Sequence, residues 1–438
     1  MIGSNVYRNR IVLVMLGLFC IMPRLAAQKT DALGAYTPYS LFGVGQLANE
    51  GTSYNLSMGG IGLAMRNNGF INYVNPAAIT ARDTLAFMFD FGLNQKNSFF
   101  NDNITKSAYN IANMQNVVMS FPIYKKSAFV VGISPFSDIG YKFQSTEEDN
   151  DLVAEMGDIK YQKYGTGSLY KAFLGAAVTF FDRISVGAEG IYYFGKINRH
   201  SDILFNSSSS YNTIYTGWEY KVHGFSGKFG LQYIQPIKKN NSELIIGGTY
   251  RLGTNLGGDI HRYAFSSSSS ETDTVIYHKP TDNSTLGIAD EFGVGISYGV
   301  MNRWTVGMDF IQQNWHNIAF VDYGSSSHTF KPTVARYYKA GFEYIPNAND
   351  IRYYMKRVSY RGGAYFEQSY ITLNGHQVNS FGITLGATFP ILMRNAVSFA
   401  VNMGQRGTLK HNLVRERYIT FTVNFNLHDI WFIKYKYD

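Results

Sequence analysis

The stretch FGITLGATFPI, residues 381–391, decides the fold. Phe381, Ile383, Leu385, Ala387, Phe389 and Ile391 are apolar, and Gly382, Thr384, Gly386 and Thr388 between them are small or polar. Successive side chains on a strand point to opposite faces, so the segment predicts a strand with one greasy and one small, polar face. The same two-residue period recurs on either side. Val397, Phe399, Val401 and Met403 alternate with Ser398, Ala400 and Asn402, and Ile419, Phe421, Val423, Phe425 and Leu427 with Thr420, Thr422, Asn424 and Asn426. Phe292, Val294, Ile296 and Tyr298 alternate with Gly293, Gly295, Ser297 and Gly299, and Trp304, Val306, Met308 and Phe310 with Thr305, Gly307 and Asp309.

Such runs predict about fourteen strands. They fall near 84–94, 114–124, 127–144, 168–181, 183–200, 219–237, 243–263, 285–300, 303–316, 331–346, 355–371, 378–391, 395–409 and 415–428. Every second connection is short: 124–126, 182–183, 238–241, 301–303 and 393–395. The intervening ones begin long, at 95–113, 145–167, 201–218, 264–284 and 317–330, and end short, at 372–377 and 410–414. Ser207–Ser210, Ser266–Ser270 and Ser325–Ser327 lie in the long ones. Short turns on one side and long loops on the other belong to a transmembrane antiparallel β-barrel, whereas a β-sandwich gives no such alternation. The expected fold is therefore all-β.

Composition agrees. Of 438 residues, 16% are aromatic and 16% charged, with 43 Gly, against roughly 25% charged residues in soluble domains. The net charge is +8, and removal of Arg8, Arg10 and Arg24 with a leader lowers it to +5, which argues against nucleic-acid binding. Residues 1–27 read as a secretory signal peptide, with Arg8 and Arg10 before the apolar Ile11–Met22 and Leu25-Ala26-Ala27 at the cleavage site. The only cysteine, Cys20, lies within it, so the mature chain is expected to carry no disulfide and no cysteine–metal site.

Ahead of the strands, NLSMGGIGLAMRNNGFINYVNPAAI, residues 55–79, is apolar and Gly-rich but holds neither a helix nor a strand period. Gly59, Gly60 and Gly62 permit close backbone approach, and Asn75-Pro76-Ala77-Ala78 reads as a cap followed by one helical turn. A segment of this kind needs walls to satisfy its backbone groups. It resembles the N-terminal hatch of the FadL/OmpP1/TodX family of outer-membrane transporters for hydrophobic compounds, in which an Asn-Pro-Ala element sits inside the barrel. The organisation expected is a signal peptide (1–27), a plug (28–83), a barrel (84–432) and a periplasmic tail (433–438). The chain ends at Asp438 where bacterial barrels commonly end on an aromatic residue, which leaves Trp431 and Phe432 as interface anchors.

The third strand carries Ser134-Pro135-Phe136 after five good strand residues. Pro135 cannot donate to the ladder, so it should bulge the strand near a rim or open a gap in the wall. In the resembling family a kink in the third strand forms a lateral opening for ligand. The resemblance implies that Asn75, Pro76 and Ala77 hold the hatch, that Gly59, Gly60 and Gly62 let it move, and that Ser134, Pro135 and Phe136 shape an exit.

Catalytic chemistry is not indicated. Gly295-Ile-Ser297-Tyr-Gly299 matches a hydrolase pattern but lies within a regular strand alternation. The nine histidines are scattered, Gly60-Ile61-Gly62 lacks the third glycine of a dinucleotide loop, and Glu147–Asp151 reads as a solvated acidic cluster without calcium-loop spacing. The resemblance implies a non-enzymatic, cofactor-free, metal-free monomer in the Gram-negative outer membrane, contacting its lipid and passing hydrophobic small molecules such as long-chain fatty acids or aromatic hydrocarbons. The rival reading is a barrel or shuttle of a protein-secretion system at the cell surface, a role that barrels of this family take in the Bacteroidetes group.

Overall fold

The computed structural model describes residues 34–430 apart from 83–85, 125, 206–210, 238–241, 268–273, 317, 319, 321–329, 392–393 and 412. The expected signal peptide and tail, and Trp431 and Phe432, lie outside the described residues.

After a two-residue strand β1 (Gln46–Leu47) come β2 (Ala86–Asn101), β3 (Lys106–Pro122), β4 (Ser127–Thr146), β5 (Ile159–Phe180), β6 (Ile184–Phe205) and β7 (Thr213–Ile237). Next are β8 (Ser242–Arg251) with β9 (Thr254–Ser267), β10 (Thr274–Ile288) with β11 (Glu291–Val300), β12 (Trp304–Asn314), and β13 (Phe330–Pro332) with β14 (Val334–Tyr344). The last are β15 (Ser359–Leu373), β16 (His376–Pro390), β17 (Ala396–Arg406) and β18 (Arg415–Ile430). β8 and β9, β10 and β11, and β13 and β14 are single staves briefly interrupted, so the wall has 14 strands. It closes where β18 pairs antiparallel with β2, from Arg415 opposite Asn101 to Ile430 opposite Ala86.

The alternation sorts the two faces as expected. Phe381, Ile383 and Leu385 of β16 are each 54% exposed on the outside, while Thr384 and Thr388 are buried within. Phe421, Phe425 and Leu427 of β18 point out while Thr422, Asn424 and Asn426 are buried. The interior is thus the polar side, the reverse of a soluble barrel, because the outer face meets lipid.

The wall is taller than the hydropathy pattern implies. The expected loop 95–113 shrinks to a turn at 102–105, and within the expected loops 201–218 and 264–284 the strands run on to Phe205 and from Thr213, and to Ser267 and from Thr274, because the ladders continue. Within 145–167 the strands resume at Ile159 after a helical turn, Asn150–Met156, capped by Asp149. Toward the long-loop end apolar and polar residues fall on both faces, with Phe99 exposed and Phe100 and Ile197 buried, so the apolar–polar period fades while backbone pairing does not.

Candidate functional site in the plugged lumen

Residues 34–82 fill the lumen, and their second half is pinned on all sides. Thr52 and Asn55 form a capping box around the helical turn Ser53–Leu56, and Asn55 also donates to Ile61 O at 2.9 Å. Gly59 and Gly60 take φ of +70° and +81°, the left-handed turn that glycine adopts without penalty. Gly59 N donates to Thr384 Oγ1 at 2.7 Å, and Gly62 N and Leu63 N both donate to Asp309 Oδ2, at 2.6 and 2.9 Å. Asn75 caps the 3₁₀ turn Pro76–Thr80 by accepting from Ala77 N at 3.0 Å, and its Nδ2 donates to Leu63 O at 2.7 Å. Ala77 is fully buried.

The wall is hollowed to receive this half. A Cβ on Gly230 would overlap Asn75 Oδ1, one on Gly187 would strike the Pro76–Ala77 peptide, and one on Gly247 would overlap Leu63 O. On the opposite side Gly341 and Gly363 make the same room for Met58 and Gly59. The small inner-face residues that look merely permissive in the sequence are sockets. Ser297 is one of the supports, not a nucleophile: its hydroxyl donates to Ala64 O at 2.7 Å.

The first half, residues 34–50, meets the wall differently. Beside Pro135 the register of β4 against β5 shifts between Pro135 and Ser137, the bulge expected of a missing N–H. The ladder of β3 with β4 runs only from Pro122 opposite Ala128 to Val117 opposite Ile133. Beyond it β4 keeps pairing with β5 as far as Thr146. Its other edge is taken by the plug: β1 pairs Gln46 with Asp138 and Leu47 with Ser137, Thr37 N donates to Gly140 O at 2.8 Å, and Ala48 N donates to Phe136 O at 2.9 Å. From the β3 side Tyr109 stacks on Tyr36 with ring centroids 3.4 Å apart, and Gln115 donates to Asn49 O at 3.0 Å. Asn113 donates to Gly34 O. The strap lies between the parted strands. Ser134 and Phe136 flank the bulge, both buried; Phe136 packs edge-on against Tyr193 at 4.8 Å.

Glu50, at the junction of the two halves, ties the plug electrostatically. Its carboxylate lies 2.6 Å from Lys171 Nζ, 2.9 Å from Lys228 Nζ and 4.0 Å from Arg251 Nη1. Glu291, which accepts from Gln313 at 2.7 Å, shares Arg251 at 3.4 Å. Burial raises the Glu50 carboxyl, but the three cations outweigh it, so it sits well below the usual carboxylate range. A second knot joins Glu416 to Lys96 at 2.7 Å and to Arg406 at 3.5 Å, and Thr37 Oγ1 donates to it at 3.0 Å. Neither knot stands out from spacing in the sequence, since each gathers residues from several strands. The available signal is a charge at an inner-face position, as at Lys171 and Lys228.

Two cavities of about 100 and 110 Å³ flank the strap. The first is lined by Leu63, Val74 and Ile311 but also by Glu50, Arg251 and Glu291, the second by Lys96, Asp138 and Arg406. The acidic run Glu147–Asp151 lies in the loop above, where Glu147 and Asp149 spend their carboxylates on local backbone N–H groups.

A family model described as BamG matches residues 8–438. The chain belongs to the BamG family. No curated protein matches it. Among solved structures, this BamG-family barrel is similar to the toluene transporter TbuX of Ralstonia pickettii at 15% identity, with a TM-score of 0.57 over 86% of this chain and 98% of that one. It is also similar to the toluene transporter TodX of Pseudomonas putida, at 13% identity and a TM-score of 0.53 over 87% and 99% of the two chains. A Pseudomonas aeruginosa FadL homologue matches at 12% identity, with a TM-score of 0.52 over 87% and 98%. At these identities the likeness carries the FadL-type barrel fold and nothing finer.

Proposed function

We propose that this chain is a passive, non-enzymatic outer-membrane transporter for hydrophobic small molecules of the fatty-acid or aromatic-hydrocarbon type, and that one strap closes both its lumen and its wall. The observation that carries this reading is the seam beside Pro135, where the β3–β4 ladder stops and residues 34–50 occupy the free edge of β4. In the closed state the cavities are too small and too charged for a long apolar chain. Passage therefore requires the strap to leave β4, which opens the lumen toward the lipid in the same movement. Asn75, Pro76 and Ala77 then act as the fixed base of the hatch together with the turn at Gly59, Gly60 and Gly62, which is held by Thr384 and Asp309 rather than free to act as the mobile glycines that the resemblance implies, with Ser134, Pro135 and Phe136 at the exit. The protein acts as a monomer without cofactor or metal, after cleavage of its signal peptide.

The test is a disulfide between Leu47→Cys and Ser137→Cys, direct partners across β1 and β4, in a chain whose only cysteine is Cys20. Uptake of labelled fatty acid and of labelled toluene is measured in cells with and without the protein. Oxidation should abolish protein-dependent uptake and reduction restore it. Uptake that does not depend on the protein at all removes the transport reading.

The second reading is a component of a protein-secretion system. Tyr164, His200 and Tyr263 form an aromatic row across β5, β6 and β9, with Tyr164 stacked on His200 at 4.2 Å, above the lipid-facing part of the wall. The charged cavity linings also suit this role better than free passage of hydrocarbon. Crosslinking of Tyr263→Cys to a secreted protein in cells, with no change in small-molecule uptake on deletion, would favour it.

A further inference from the structure

The short-turn rim carries an unassigned pattern. Each described turn at this end joins an exposed apolar residue to a cation. Ile123 and Tyr124 precede Lys126, Phe181 precedes Arg183, Met301 precedes Arg303, and Ile391 lies beside Arg394. The longest turn, between β14 and β15, exposes Ile351, Tyr353 and Met355 among Arg352 and Lys356, with both cations over the Tyr353 ring at 5.2 and 4.7 Å. Phe181 is 87% and Ile351 101% exposed, too open to serve the barrel's own packing.

Among the described residues, the acids at this end are Asp182 and Asp350 in the turns and Glu243, Glu343 and Asp429 at the strand ends, Glu343 being buried and paired with Arg361 at 2.9 Å. Asp182 pairs with Lys126, and Asp350 lies 3.6 Å from Lys356. At the opposite end one loop is acidic: residues 147–158 hold Glu147, Glu148, Asp149, Asp151, Glu155 and Asp158 with no Lys or Arg, while Lys106, Lys160, Lys331, Lys410 and Arg415 lie at that end on other strands and loops.

We infer that the short-turn rim is a docking surface for anionic phospholipid, its cations taking headgroup phosphates and its apolar tips the interfacial layer of the leaflet in which they stand. The arrangement argues for lipid over a protein partner. The cation–apolar pairs recur at turns spaced every second strand around the circumference, where lipid lies, and a single partner protein would favour one contiguous patch. Exposed aromatic and cationic groups at this level are also the side chains that settle at a headgroup boundary. The inference does not depend on what the lumen passes.

The experiment offers the purified full-length protein an equimolar mixture of phosphatidylethanolamine and cardiolipin and reads retained lipid by native mass spectrometry. Cardiolipin should be enriched, by about fivefold for each cation engaged, and salt should reduce the enrichment. The variant Arg183→Gln/Arg303→Gln/Arg352→Gln should lose most of it, and Glu148→Gln/Asp151→Gln at the far end should retain it. Equal retention of the two lipids by the unaltered protein overturns the proposal, whatever the variants do. So does enrichment that the rim variant leaves intact, displacement by inorganic phosphate as effective as by lipid, or rim-dependent capture of an acidic protein without lipid preference.

Discussion

Residues 51–82 and residues 34–50 occupy one lumen by opposite means. The later segment is fitted: its backbone lies in hollows left by Gly187, Gly230, Gly247, Gly341 and Gly363, and buried side chains of the wall such as Asp309 and Thr384 accept or give its hydrogen bonds. The earlier segment is inserted: it replaces a missing ladder over a few residues and is held at either end, by the ion pairs of Glu50 with Lys171 and Lys228 and by the hydrogen bond that Thr37 donates to Glu416. A close-packed surface resists displacement because every shift of a side chain is felt by its neighbours. A short ladder and ion pairs can be exchanged for water or for a ligand. On the proposed function, the strap is the part that moves and the hatch the part that stays.

The strongest way to break that comparison is Glu50→Gln. Lys171 and Lys228, with side chains 2% and 1% exposed, would then face a neutral amide. Removing one partner of a buried ion pair costs about 3 kcal/mol, and the strap should bear nearly all of it. Hydrogen exchange at residues 34–50 should rise steeply, while residues 51–82 and the barrel's thermal transition stay close to the parent. Equal loosening of both halves would mean the plug is one unit. The same carboxylate sets the pH response. Its native pKa is depressed, so its stabilisation is full above the unfolded value and fades only as pH falls through the lower native one. The strap of the unaltered protein should therefore stay protected at pH 5 and loosen only well below pH 4.5, whereas in Glu50→Gln the residues around position 50 should already exchange at pH 5 and gain little more on acidification.

The fitted half is probed by Gly230→Val. Its added carbons meet Asn75 Oδ1, Pro76 Cδ and Ala77 N, and overpacking of this kind costs about 2 kcal/mol. Exchange should now rise across 51–82, and single-channel recordings should show a leak that the parent lacks. A variant that leaks without exposing residues 51–82 would place the opening in the strap alone.

The wall was readable because alternation is local: any ten residues of β16 or β18 declare which face meets lipid. Pro135 was readable for a similar reason, since a missing N–H acts on its own strand. The height of the wall was not, because the apolar–polar period fades before Phe205 and Thr213 and pairing alone extends the strands. The Asn75-Pro76-Ala77 turn could be placed, but not the sockets at Gly187 and Gly230, which lie on other strands and face the plug only after closure. Glu50 was invisible for the same reason: its partners Lys171, Lys228 and Arg251 come from three strands, and none is near it in sequence.

The smallest effect sharpens the comparison furthest. Asn75→Ala removes the cap on Pro76–Thr80 and one donor to Leu63 O, but that carbonyl keeps a second donor, Gln232 Nε2, at 2.9 Å. The Leu63 carbonyl is thus not left bare, and the loss is that of the bond Asn75 accepts from the buried Ala77 N, which should cost about 1 kcal/mol, the usual worth of a cap. Because Gly230 is kept free of a side chain by the Asn75 carbonyl oxygen, the truncated residue also vacates part of that hollow. Gly230→Ala should therefore be less harmful beside Asn75→Ala than alone, a coupling that a double-mutant cycle reads directly. Glu50→Gln combined with Asn75→Ala should instead be additive, since a strap that moves and a hatch that stays share no contact at those two residues. Coupling in the second cycle and none in the first would reverse the assignment of base and moving part.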